Sequence, residues 1–258
     1  MEKIKEILSG IGGIPSLDEA QLDLFDKLAE ILAEENKKVN VTSITDPVGI
    51  ALKHFADSLS VLELEEVKKE GIRMADIGCG GGFPGLPIKI VRDDIDMTMI
   101  DSTEKKIRYV SATADKLGLK KISPIATRAE EVASKNGPMR EKFDVVTARA
   151  LARLNVLSEL CLPFVKVGGH FVSMKAASAE EELSEARRGI GQLGGKVKYV
   201  KEVKFDASNV DTSDFTPDEK NILEDFISAK RYMIVIEKVS HTPDVYPRQY
   251  SKISKKPL

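Results

Sequence analysis

The chain has 258 residues, 42% of them hydrophobic, enough to bury one principal core with room for an extension. Its 39 basic and 41 acidic residues leave a net charge of −2, which excludes a globally basic nucleic-acid coat and permits only a local basic patch. Two cysteines, Cys79 and Cys161, and three histidines with no pair at metal-ligand spacing argue against a metal site and a disulfide framework, and fit a reducing cytoplasm.

The opening "MEKIKEILSG" alternates charges and has no apolar core of signal-peptide length, and no later run approaches the ~20 apolar residues of a membrane span. A soluble protein without a membrane partner is expected. Residues 16–35 predict an amphipathic helix, with Ser16 and Glu19 forming a capping box and Leu24, Phe25, Leu28, Ile31 and Leu32 on one face. A second helix is expected from about Val48, with Leu52, Phe55, Leu59 and Leu62 on its apolar face. His54, Asp57 and Ser58 then share the opposite, polar face, either to meet a substrate or simply to face solvent with an Asp–His pair.

From about residue 72, short apolar runs alternate with helical segments: "IRMADIG", "DMTMID", "KISPIAT", "FDVVTARA", "HFVSMKA", "KVKYVKEVKF" and "RYMIVIEKV". Alternation of this kind predicts an α/β fold with a seven-stranded, mostly parallel sheet, helices on both faces and right-handed crossovers. "TEKKIRYVSATADKLG" is a clear helix with Ile107, Val110, Ala114 and Leu117 on one face and Gly118 as its cap. Between the last two strands lies a polar, Asp-rich stretch in place of a crossover, so an antiparallel edge pair is expected there. The segment 178–188 reads as a solvated helix face. "HTPDVYPRQYSKISKKPL" reads as a basic tail with no period of its own. The implied division is a helical extension over 1–66, a sheet domain over 67–240 and a tail over 241–258.

"DIGCGGGFPGLPIKIV" places Gly78, Gly80, Gly81 and Gly82 directly after the first strand, with Pro84 and Pro87 suited to the first turn of the next helix. So little side chain at a strand's carboxyl end allows a tight turn and close approach of a ligand to the backbone. Asp101 ends the second strand about 20 residues further on, where a carboxylate can accept from both hydroxyls of an adenosine ribose or can cap the helix that follows. Glu130 follows the third strand, where it can meet an adenine amino group or favour a helix start. Arg149 follows the fourth, as a partner for a carboxylate. Counted from Gly80, the glycines also satisfy a dinucleotide fingerprint, which leaves an NAD-dependent dehydrogenase open as an alternative.

Together, the glycine loop, Asp101, Glu130 and the antiparallel edge resemble the Rossmann-like class I S-adenosylmethionine-dependent methyltransferases. "NVTSITDP", "KHFADSL", "DIGCGGGFPGLPIKIV", "DSTEKK", "RAEEVA", "FDVVTARALA" and "FVSMKA", in order and spacing over residues 16–258, resemble the ribosomal small-subunit methyltransferase G family, also called glucose-inhibited division protein B. The resemblance implies methylation of N7 of one guanine in 16S ribosomal RNA, with S-adenosyl-L-methionine as cofactor. It carries cofactor contacts onto Gly78, Phe83, Ala129, Glu130 and Arg149, to which the general class adds Asp101 and the glycine turn adds Gly80. Where the family often shows a serine, Ala148 precedes Arg149.

The residues that are absent agree with this chemistry. "TARAL" replaces the Asn/Asp-Pro-Pro-aromatic loop that exocyclic amine methylation recruits, Cys161 lies too far along to be a pyrimidine nucleophile, and no acid follows the fourth strand for ribose methylation. Guanine N7 needs no deprotonation, so no general base is expected. Substrate contacts are expected from His54 and Asp57, and phosphate contacts from Lys175, Arg248, Lys252, Lys255 and Lys256. The partner implied is 16S RNA or a small-subunit assembly intermediate, with neither DNA nor membrane. A non-catalytic assembly factor with the same fold is the other alternative.

Overall fold

Seven strands, β1 (Arg73–Ile77), β2 (Asp96–Asp101), β3 (Ile122–Ala126), β4 (Phe143–Arg149), β5 (Val165–Lys175), β6 (Gly195–Val203) and β7 (Arg231–Lys238), form one sheet in the order β3-β2-β1-β4-β5-β7-β6. The computed structural model describes residues 2–258. β1 to β5 are parallel, and β7 inserts antiparallel between β5 and β6. The strand order reverses between β1 and β4, and in open α/β sheets ligands bind outside the carboxyl ends of the strands at that point.

Side chains alternate across the sheet, so Met74 and Ala75 of β1 enter different cores. On one face Met74, Met97, Met99, Val145 and Val235 meet the N-terminal helices through Phe25, Leu28, Leu52 and Phe55, so the 1–66 segment shares its core with the sheet. On the other face Ala75, Ile77, Val146 and Phe171 meet the helices Leu154–Cys161 and Ala179–Gln192.

Several elements differ from the sequence reading for identifiable reasons. The first residues, legible only as alternating charge, form the helix Glu2–Gly10, which buries Ile4, Ile7 and Leu8. The next helix, Glu19–Val39, is capped by Asp18 rather than Ser16. Its carboxylate accepts from Gln21 N–H at 2.8 Å while Gln21 Oε1 accepts from Asp18 N–H at 3.0 Å, which satisfies two otherwise orphaned donors. Thr216 and Glu219 form a second capping box, and it starts the helix Pro217–Ser228 inside the stretch that reads as merely polar.

The helical run over 47–63 is wound as a π-helix from Ile50 to Ala56 and tightens to 3₁₀ at Ser60–Glu63. Such wide winding departs from the 3.6-residue period and is frequent at functional sites. Of the two readings of the polar stripe, the solvent-facing one does not hold: His54 is 9% exposed and Ser58 is fully buried, because this face packs against Phe83 of the glycine loop and Arg149 at the end of β4. Nor is the terminal segment a free tail. It carries the helix Tyr250–Lys255 and buries Ile253 completely. Among the described residues, no helix is long and apolar enough to cross a membrane.

Candidate active site

The glycine loop begins where β1 ends. Gly78 has φ of 72°, so the backbone conformation favours glycine, and a Cβ there would stand 2.6 Å from Leu151 Cδ2 and push that exposed side chain aside. Its N–H donates to Ile100 O at 2.7 Å, tying the loop to β2. Asp101, the last residue of β2, accepts from Gly80 N–H at 3.0 Å through Oδ2 and from Thr103 N–H at 2.8 Å through Oδ1. One carboxylate thus fixes the glycine loop and starts the next helix. Each of its oxygens keeps a second lone pair for a ligand.

Gly78, Asp101, Ala129, Glu130, Leu151 and Tyr250 line a cavity of about 230 Å³ over these strand ends. Glu130 accepts the Tyr250 N–H at 3.2 Å through Oε1. Phe83 does not border this cavity: it is 7% exposed and lies flat against the His54 ring, with centroids 4.5 Å apart and planes 6° from parallel. Its observed contacts are with the N-terminal helices and with Arg149, whose guanidinium sits over the ring at 5.5 Å.

Leu151 also borders a second, larger cleft of about 590 Å³, lined by Lys53, His54, Asp57, Arg149 and Arg231 among others. Asp57 binds two guanidiniums there: Arg149 at 3.0 Å through one oxygen and Arg231 at 3.3 Å through the other. Arg149 also donates to the Lys53 carbonyl at 3.1 Å, and Arg231 stacks on Phe226 at 4.0 Å. The π-helical run, the end of β4 and the start of β7 thereby meet in one charged cluster with more positive than negative side chains. His54 takes no part in an Asp–His pair; its Nε2 lies 2.7 Å from Thr42 Oγ1 and its Nδ1 is buried without a partner. Burial, with Arg149 adding to it, pushes the imidazole pKa down to about 4, so the ring is neutral near pH 7.

Two expected phosphate ligands are already engaged. Lys175 pairs with Glu182 at 2.7 Å and donates to the Ala152 carbonyl, leaving its side chain 7% exposed. Arg248 grips Glu159, itself fully buried, with Nε at 2.8 Å from one oxygen and a terminal nitrogen at 2.5 Å from the other. In both cases the partner is an acid on a helix that packs on the sheet, so the cation serves the fold. Lys252, Lys255 and Lys256 are exposed.

Asp76 in β1 is fully buried, with one oxygen accepting from Gly85 N–H at 3.0 Å and the other without a partner. Burial raises its pKa to about 7 against the opposing Gly85 bond. Burial likewise raises the pKa of both cysteine thiols, so neither is a ready thiolate nucleophile. Sequence reading missed Lys53, Leu151, Arg231 and Tyr250. Lys53 and Arg231 reach the cleft only through tertiary packing, whereas Leu151 sits in the "TARAL" loop already under scrutiny.

The sequence model of the family described as rRNA small subunit methyltransferase G matches residues 21–210. A protein named "Ribosomal RNA small subunit methyltransferase G" from Staphylococcus carnosus is 43% identical over 243 residues, covering 94% of this chain and 93% of that one. The protein of the same name from Clostridium perfringens is 36% identical, covering 93% and 92%. Among solved structures, a SAM-dependent methyltransferase from Aquifex aeolicus aligns with TM-score 0.51 at 19% identity, over 79% of this chain and 97% of that one. The complex of the Haloferax volcanii Trm112 activator with a methyltransferase aligns with TM-score 0.54 at 13% identity, over 86% and 98%. These two likenesses carry the fold.

Proposed function

The chain belongs to the rRNA small subunit methyltransferase G family, and from that premise we propose that it methylates N7 of one guanine in 16S ribosomal RNA, with S-adenosylmethionine as donor. The observation that carries the reading is the junction at Leu151. There a cavity bordered by Gly78 and two carboxylates adjoins a cleft that Lys53, Arg149 and Arg231 line together with Asp57.

The donor set fits the cofactor. Asp101 has lone pairs for the ribose hydroxyls, Ala129 and Glu130 flank the position for the adenine amino group, and Gly78 puts backbone, not a side chain, against the ligand, whereas Gly80 does not border the cavity and holds Asp101 from behind. Arg149, beside the junction, is the cation for the amino-acid carboxylate, while Phe83 acts from behind by holding Arg149 and His54 in place. When bound, the cofactor supplies an electrophilic methyl on a sulfonium.

Guanine N7 carries an in-plane lone pair, so the chain need only hold the base in line with the methyl. Orientation of that kind is worth roughly 7–11 kcal/mol of a barrier at its best. No general base is required, and His54, neutral with Nδ1 buried, is not placed to be one. Asp57 bridges the Arg149 and Arg231 guanidiniums at the edge of the cleft, where Arg231 and Lys53 suit RNA phosphates. Because N7 lies in the deep groove of an A-form helix, the substrate presents a loop or an extruded nucleotide, as naked 16S RNA or an assembly intermediate can. The protein then works in the cytoplasm on RNA, with neither DNA nor membrane as partner.

Transfer of labelled methyl from S-adenosylmethionine to small-subunit RNA tests this, with the digested product expected to contain 7-methylguanosine. Saturable binding of NAD with none of S-adenosylhomocysteine would overturn it.

A further inference from the structure

The terminal segment 241–258 is held at independent points along its length. Arg140 donates to the carbonyls of Thr242 at 2.5 Å, Pro243 at 3.3 Å and Tyr246 at 2.8 Å. Arg248 clamps the buried Glu159, Ile253 is fully buried in the sheet core, and Leu258 sits against Gly189, where an added Cβ would lie 2.7 Å from its own. Between the clamp and Ile253 stands Tyr250. It is 42% exposed although its neighbours are fixed, it lines the smaller cavity together with Gly78 and Asp101, and its N–H is bonded to Glu130.

We infer that Tyr250 is a cofactor-binding residue, its ring forming the outer wall against which the adenosine part of the cofactor packs. The proposal rests on reading this cavity as the cofactor site. An aromatic ring left half in solvent beside a cavity with two carboxylates gives a flat base an apolar face, while Asp101 and Glu130 serve its polar groups. The Tyr250 amide also ties the terminal segment to Glu130, so the segment and the cofactor share one wall. Linkage then requires that ligand binding stabilise the docked segment as much as docking favours the ligand.

Calorimetry of S-adenosylhomocysteine binding to the full chain tests the inference, together with thermal melting without ligand and hydrogen exchange of the 246–256 amides. Tyr250→Ala is expected to weaken binding about 5- to 150-fold, the range for loss of one stacked base face, with an unchanged melting temperature. Tyr250→Phe is expected to bind within about twofold of wild type, because the ring and not the hydroxyl acts. In the wild-type chain, ligand is expected to slow exchange of the Tyr250 amide. Unchanged affinity in Tyr250→Ala overturns the inference, as does an equal loss in Tyr250→Phe. Should Tyr250→Ala melt early, wild-type exchange decides, and no slowing at Tyr250 overturns it. Failure of the wild-type chain to bind S-adenosylhomocysteine would instead sink the reading of the cavity itself.

Discussion

Asp101 accepts from the N–H of Thr103, the residue that opens the following helix, pins Gly80, and lines the cavity where the proposed ribose contact would fall. Asp101→Ala is therefore expected to weaken S-adenosylhomocysteine by roughly 1–3 kcal/mol in calorimetry and also to lower the melting temperature, since two backbone donors lose their acceptor. Affinity unchanged in a less stable protein would leave capping as its whole role. His54 gives the pH dependence. Its pKa falls from 6.5 unfolded to about 4 folded, so the unfolded chain binds the extra proton between those values. Stability from the buried neutral ring is complete above pH 6.5 and is lost as pH falls toward 4, by at most about 3 kcal/mol. Asp76, raised from 3.8 to about 7, acts in the opposite sense and loses stability as pH rises through that window. Comparing melting of wild type and His54→Phe from pH 7 to 4.5 isolates the histidine, and the variant is expected to show the shallower acid loss. Parallel profiles would contradict its buried neutral state. At this scale Gly78, Asp101 and Glu130 were legible because turn chemistry and strand-end placement are local. Arg248 read as a free cation because its partner Glu159 lies far away in sequence, the available sign being an acid set within the apolar "NVLSELCLPF"; Lys175 read so because its near neighbour Glu182, buried against the sheet, stands in the segment that reads as a solvated helix face.

The elements followed their apolar patterns closely, and all seven strands stand where their runs of Val, Ile, Met and Phe place them, although β5 starts at Val165, ahead of its apolar core. What escaped were short helices with weak periodicity. Pro217–Ser228 is announced by Thr216 and Glu219, yet only Leu223 and Phe226 are buried, too few for a clear stripe. The terminal helix shows no stripe because a single residue, Ile253, anchors it. That segment carries the element-scale prediction. Arg248→Ala leaves the Glu159 carboxylate buried without its counter-charge, held only by the backbone N–H of residue 248, which is expected to cost about 3 kcal/mol in denaturant unfolding. The same variant should expose the lysines of 252–256 to trypsin while the sheet domain stays protected. Stability equal to wild type would mean the pair adds nothing to docking.

Over the whole molecule, near-neutral charge hides an uneven distribution. Lys53, Arg149 and Arg231 face the large cleft, and Lys252, Lys255 and Lys256 lie exposed on the segment that also supplies Tyr250 to the small cavity. If RNA spans both, replacing Lys255 and Lys256 by alanine should lower RNA affinity and reduce the slope of log affinity against log salt by about 1.4–1.8, without changing affinity for S-adenosylhomocysteine. An unchanged slope would confine RNA to the cleft. The cleft itself was not legible in the sequence, since it forms only where a π-wound helix, the end of β4 and the start of β7 converge on Asp57. The proposed transfer of a methyl group to guanine N7 at this junction rests on orientation alone. It is tested most directly by borohydride reduction and aniline treatment of 16S RNA that has been incubated with the protein and S-adenosylmethionine, because N7-methylguanine makes the chain cleavable there. A single new cleavage site, absent without the protein and greatly reduced with Arg149→Ala, is the expected result; methyl incorporation with no such cleavage would contradict the account.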